Sequence, residues 1–100
     1  MPSCLFIAVA KLNVITVEKI IEKRAEVNIR DPKSGDYPIH TLMTTYSKNL
    51  MNGKKILELL ISAGADLTVK NNDHYTALHL AVKRGCYDAV ESLLEKSSNL

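Results

Sequence analysis

Three histidines and two cysteines are the side chains here best equipped for chemistry: His40, His74 and His79, with Cys4 and Cys86. Imidazole and thiolate together suggest zinc, but zinc ligands come in short clusters such as C-x2-C followed by H-x3-H, and these five fit no such spacing. No metal is expected. Nucleophilic catalysis would need a recognisable setting, and there is neither a G-x-S-x-G nor an H-E-x-x-H. Gly53-Lys54 lacks the upstream glycine and the following Ser or Thr of a phosphate loop. The carboxylate pairs Glu18/Glu22 and Glu91/Glu95 could be read as an acid and a base. Spaced i,i+4, they instead suit the solvent faces of helices, where like charges cost a few tenths of a kcal/mol. The residues therefore point to no enzyme, no cofactor and no small-molecule substrate.

The elements behind these residues are bounded by the totals. A chain of 100 residues is one domain or a slice of one. Apolar residues make up 46%, enough to fold, while the aromatic share is 5% with no Trp. The core must then be built from Leu, Ile, Val and Ala, which suits thin helix–helix layers. Thirteen basic against 11 acidic side chains, with interleaved signs, give a net charge of +2. Nucleic acid would want its cations clustered on one face, so none is expected as a partner. Lys54-Lys55 and Lys83-Arg84 are too short to count. The apolar stretch Cys4 to Ala10 is too short for a membrane span or a signal-peptide core. There is no N-x-S/T sequon, and two cysteines far apart suit a reducing compartment. A cytoplasmic setting, with the nucleus also open, is the expectation.

Periodicity organises the chain around Asn71 to Leu94, NNDHYTALHLAVKRGCYDAVESLL. Thr76-Ala77-Leu78-His79 opens an apolar run through Leu80, Ala81 and Val82, and Lys83-Arg84-Gly85 stops it. A second run follows with Ala89, Val90, Leu93 and Leu94. Two short helices around a Gly stop are predicted, with Thr76 as N-cap. The order T-x-L-H-x-A, Gly, V-x-x-L-L resembles an ankyrin repeat, whose signature T-P-L-H-x-A recurs at a period of about 33 residues. The resemblance implies an all-α solenoid of three stacked antiparallel helix pairs with finger-like turns, covering residues 1–100. It also implies that Thr76 caps the helix while His79 braces the turn through a buried hydrogen bond.

Taken in order, residues 3–28 read as a degenerate first repeat. Ser3-Cys4-Leu5-Phe6-Ile7-Ala8 stands for the signature, and Val17, Ile20 and Ile21 match Val90, Leu93 and Leu94 at 73 residues on. Leu12-Asn13 replaces the Gly turn, with Asn13 suited to a left-handed stop. Arg24-Ala25-Glu26-Val27-Asn28 resembles the family's G-A-D-V-N and leads into a finger, Ile29 to Tyr37, one residue longer than the family norm. The second repeat, 37–67, opens with Tyr37-Pro38-Ile39-His40, Tyr37 standing where Thr would cap. It holds five extra residues within Tyr46 to Gly53, where Asn52-Gly53 reads as a turn and Leu50-Met51 as loop residues folded back over the repeat, the alternative being a contact knob on the surface. A second finger runs from Thr68 to Tyr75, and His74 holds a position where the family has Gly with positive φ. The third repeat is 76–100. Helices are predicted near 4–10, 14–23, 39–46, 54–63, 77–84 and 87–96.

Function follows from the resemblance. It implies a rigid concave surface of fingers and first helices that binds a protein partner. The binding positions carried onto this chain are Arg30, Lys33 and Asp36 in the first finger, and Thr44 and Thr45 on the helix after it. The second finger adds Lys70, Asn72, Asp73 and Tyr75, and the third repeat adds Lys83 and Arg84. Two further readings stay open: an inhibitory or targeting segment of a larger signalling protein, as in inhibitors of NF-κB or ankyrin-bearing kinases and channels, or a host-directed viral or bacterial protein. The third repeat keeps apolar residues on its outer side, which predicts a longer array or weak self-association through that repeat.

Overall fold

The computed structural model describes residues 4–23 and 26–97. The signature residue Ser3, the first two residues of the Arg24–Asn28 turn, and the end of the third repeat at 98–100 lie outside them. Six α-helices follow one another: α1 Cys4–Ala10, α2 Val14–Glu22, α3 Pro38–Thr45, α4 Leu50–Ser62, α5 Ala77–Arg84 and α6 Tyr87–Ser97. No strand occurs among the described residues. The helices form three pairs, with α1, α3 and α5 packed side by side and α2 against α4.

Local chemistry explains each boundary. Thr76 caps α5, its hydroxyl accepting the His79 N–H at 3.3 Å, and Gly85 ends that helix in the left-handed region at φ 72°. Tyr37 supplies no such hydroxyl; its own carbonyl takes the His40 N–H at 2.9 Å instead, and Pro38 sits at the first helical position. In the first repeat the left-handed residue is Leu12, φ 55°, rather than Asn13. Asn13 has the other task, capping α2 by accepting the Thr16 N–H at 3.1 Å. His74 does adopt positive φ, 65°.

The inserted residues depart furthest from expectation. They form a 3₁₀ turn, Tyr46–Lys48, and then lengthen the next helix, which begins at Leu50 rather than near 54. Asn49 starts it by accepting the Asn52 N–H at 3.1 Å. Asn52-Gly53 is therefore helix, not turn. Leu50 and Met51 are not folded back: they are 51% and 84% exposed on the first turn of α4. Gly53 is buried against the Tyr46 ring, where an added Cβ would stand 3.0 Å from a ring carbon. The Asn52 amide reaches back to the Leu12 carbonyl at 3.2 Å, tying the insertion to the first repeat.

Tyr46 itself is fully buried, and among the described residues its hydroxyl has no hydrogen-bond partner. Burial first, then the nearby Asp88, Cys86 and Glu58, push its pKa up to about 12. An unpaired buried hydroxyl costs about 1–3 kcal/mol. Tyr46→Phe keeps the ring and removes that cost, so its urea midpoint should equal or exceed the wild-type value. A clear fall would mean that the hydroxyl is bonded.

The core is a continuous sheet of Leu, Ile, Val and Ala, including Leu5, Val9, Val17, Ile39, Leu42, Ile56, Leu57, Leu60, Ala81 and Leu93. It runs through all three repeats and is left uncovered on the outer side of the third. Met43 and Leu60 are 1% and 0% exposed, whereas their counterparts Val82 and Leu94 are 60% and 52% exposed. The brace residue changes in parallel. His40 is buried, but His79 is exposed, its Nδ1 lying 2.8 Å from the Thr76 hydroxyl. The buried hydrogen bond expected of His79 thus belongs to His40.

Candidate functional site

Two fingers, 29–37 and 68–76, project from the helix pairs and are joined by polar side chains. The Asn72 side chain donates to the Lys33 carbonyl at 3.1 Å and accepts from the Arg30 guanidinium. The Asn71 amide donates to Asp36 at 2.9 Å, while its oxygen takes the N–H groups of Asp73 and Tyr75, each at 3.0 Å. Nearer the bases, Asn28 accepts the Asp66 N–H at 2.8 Å and donates to the Gly64 carbonyl at 3.1 Å. The first finger spans Asp31 to Asp36 between its paired backbone groups, and the second only Asn71 to Tyr75. The extra residue of the first finger is accommodated at its tip.

Below the second finger, His40 fixes the stack from inside. Its Nδ1 accepts the Tyr37 N–H at 2.9 Å, and its Nε2 lies 3.0 Å from the Tyr75 carbonyl. An acceptor Nδ1 places the proton on Nε2, so the neutral ring satisfies both neighbours. Burial lowers the His40 pKa from its ordinary 6.5, outweighing the opposing pull of Asp36 and of the Tyr75 and Val69 carbonyls.

The finger tips and the first helices enclose a groove of about 390 Å³. Lys33, Asp36, Thr44, Asn72, Asp73, Tyr75, Lys83 and Arg84 all line it, together with Ser34, Asn71 and Leu80. Tyr75 is half-buried, and the Lys83 ammonium sits 4.9 Å above its ring. That distance suits a cation–π contact. Three of the positions carried over from the family pattern lie outside this group. Thr45 is buried at 9% exposure, its hydroxyl turned back to the Thr41 carbonyl at 3.3 Å, so it offers no contact surface. Arg30 is engaged with Asn72, and Lys70 is exposed but does not line the groove. Asn71 and Ser34 line the groove without being among the positions carried over. Their part depends on bonds between fingers, which spacing along one finger does not reveal.

A second groove of about 400 Å³ runs between α4 and α6, lined by Glu58, Asp88, Glu91 and Glu95 with Lys54 and Lys96. Among the described residues no group of three or more His, Cys, Asp or Glu could hold a metal. Neither is any helix long and apolar enough to cross a membrane.

Comparison with known proteins agrees with this architecture. The family model for ankyrin repeats (3 copies) matches residues 5–100. The ankyrin repeat protein FPV219 of fowlpox virus is 30% identical over 87% of this chain. The B-cell lymphoma 3 protein homolog of Mus musculus is 42% identical over 45% of it. The SH3 and multiple ankyrin repeat domains protein 2 of Homo sapiens is 28% identical over 79%. The chain spans 26%, 10% and 4% of the lengths of these three relatives. Matched by that model over almost its whole length, this stack of three helix pairs with paired fingers belongs to the ankyrin repeat family.

Proposed function

We propose that this chain is a protein–protein interaction module that presents the groove between its fingers and first helices to a protein partner, without catalysis. The supporting observation is convergence: Lys33, Tyr75, Lys83 and Arg84, from two fingers and a helix, face one groove whose walls are cross-linked by Asn71 and Asn72. A surface held in this way loses little entropy on docking, and ankyrin repeats are in general protein-binding modules. Likeness over 87% of the chain to a fowlpox ankyrin repeat protein supports a viral role, and, as the chain spans 26% of that relative, it equally supports a segment of a larger protein. The cytoplasm, or the nucleus, suits the free thiols of Cys4 and Cys86.

The test is partner capture with Tyr75→Ala combined with Arg84→Ala. Loss of an aromatic and an arginine from the groove should reduce recovery of specific partners by about tenfold or more, since each such anchor is worth about 1–2 kcal/mol. The half-buried Tyr75 ring also packs on the core, so capture is run well below the variant's melting temperature. Met51→Ala, on the far exposed turn of α4, is the control. Unchanged recovery with the double variant would remove the site from this groove and leave Leu50 and Met51 as the next surface.

The stack is also proposed to be part of a longer array. Exposed Val82 and Leu94 occupy positions that the next repeat covers in the second repeat. The same apolar face would draw copies together weakly at high concentration. Appending a repeat with a polar outer face after Leu100 should raise the melting temperature by about 4–8 °C per kcal/mol gained. No gain, together with a monodisperse monomer at high concentration, would refute it.

A further inference from the structure

Building on the protein-binding reading, we infer that the groove takes an acidic segment of its partner, a linear run carrying Asp or Glu side chains. Three cations reach it: Lys33 from the first finger, and Lys83 and Arg84 from the last turn of α5. Among the described residues none of the three has a carboxylate within ion-pair distance. Lys83 rests on the Tyr75 ring, a contact that leaves the ammonium open to an anion from above. Two carboxylates also line the groove: Asp36, which accepts the Asn71 amide at 2.9 Å and keeps its charge, and Asp73 at the second finger tip. Lys33, Lys83 and Arg84 outnumber them, so the balance of charge in the groove is positive.

The back of the molecule has the opposite sign. Glu58, Asp88, Glu91 and Glu95 outnumber Lys54 and Lys96 in the groove between α4 and α6. An acidic segment is thus repelled from one side and drawn to the other, which sets both the encounter rate and the orientation. Neutral chemistry for the peptide backbone is also present. Ser34 Oγ accepts the Asp36 N–H at 3.2 Å, so its own proton is left for a carbonyl. A nucleic acid is the poorer fit. A phosphate backbone calls for a long track of cations, whereas three line this groove and the net charge is only +2.

A library of random linear peptides, displayed on phage and panned against the full chain, provides the test. Enriched peptides should be acidic, and a synthetic copy should lose about tenfold or more in affinity to Lys33→Glu combined with Arg84→Glu. Both side chains are exposed, so melting temperatures should stay close to wild type, and the milder Lys33→Gln with Arg84→Gln should give a smaller loss. Panning on the charge-reversed variant should enrich basic peptides instead. Neutral or basic peptides from the wild type, acidic peptides indifferent to charge reversal, or displacement by a single-stranded oligonucleotide would each overturn the acidic assignment. Non-acidic peptides that still depend on Tyr75 and Arg84 would leave the protein-binding groove standing. Absence of any groove-dependent peptide, with unchanged partner capture, would remove both.

Discussion

His40→Ala should destabilise the fold by about 3 kcal/mol, combining a cavity with two lost hydrogen bonds. The ring is fully buried. Its removal leaves the Tyr37 N–H and the Tyr75 carbonyl without the partners they have at 2.9 and 3.0 Å. Those two groups start α3 and end the second finger, so the damage falls on the joint between the second and third repeats. His79→Ala should cost under about 1 kcal/mol, because an exposed ring gives up bonds that water replaces. Urea midpoints that fall equally for the two variants would show that His40 is no special brace.

The same residue predicts a pH dependence. Burial holds the folded His40 pKa below the ordinary 6.5 of the unfolded chain. Between those two values the unfolded state binds a proton that the folded state refuses. The contribution is thus fully present above pH 6.5 and is lost as pH falls through 6.5 toward the folded value. The slope is limited to about 1.4 kcal/mol per pH unit for one proton. Asp66, whose pKa is lowered by bonds from the Thr68 hydroxyl and N–H, acts in a separate window below its ordinary 3.8. His40→Gln should flatten the upper slope and leave the lower one. A wild-type stability that does not change between pH 7 and pH 5.5 would contradict the assignment of a neutral His40.

Much of this was legible in the sequence because it is local. Thr76, Gly85 and the apolar runs between them define α5 and α6 to within a residue, and the finger register correctly places His74 at positive φ. Errors arose where one residue type serves two purposes. Asparagine suits both a left-handed stop and an N-cap, and at Asn13 capping won. Asn52-Gly53 has turn chemistry, yet this glycine is needed inside a helix because the Tyr46 ring lies over it. The rest was not legible because it is long-range. Asn52 with Leu12, Asn28 with Asp66 and Arg30 with Asn72 are bonds between different repeats. The family pattern gave the binding face as a list of variable positions, and only stacking shows that Arg30 and Asp36 are occupied in joining the fingers while Lys33, Lys83 and Arg84 remain open. Thr45 differs from Thr44 by one position, which is 100° of helix, enough to turn it from the groove into the core.

Gly35→Ala should cost about 3 kcal/mol, and the reason is a second finger rather than the first. Gly35 stands at φ 74°, where a side chain strains the backbone by about 1–2 kcal/mol. Gly85, at φ 72°, carries the same strain, but a Cβ there meets nothing within 4 Å. At Gly35 a Cβ would stand 2.7 Å from the Asn72 backbone nitrogen and against its side-chain amide. Backbone cannot swing aside as a flexible side chain can. The fingers must part, taking with them the Asn72 bond to the Lys33 carbonyl and the Arg30 contact. The difference between Gly35→Ala and Gly85→Ala therefore measures the join between fingers, with the conformational term subtracted. Adding Asn72→Ala to Gly35→Ala should recover only part of the loss, because the backbone nitrogen remains in place. Since Lys33, Ser34 and Asn72 also line the groove, Gly35→Ala should weaken partner capture while every groove side chain is still present. Equal losses from Gly35→Ala and Gly85→Ala would mean that the fingers move independently, and a groove whose walls move independently is no longer the preformed surface that makes docking cheap in entropy.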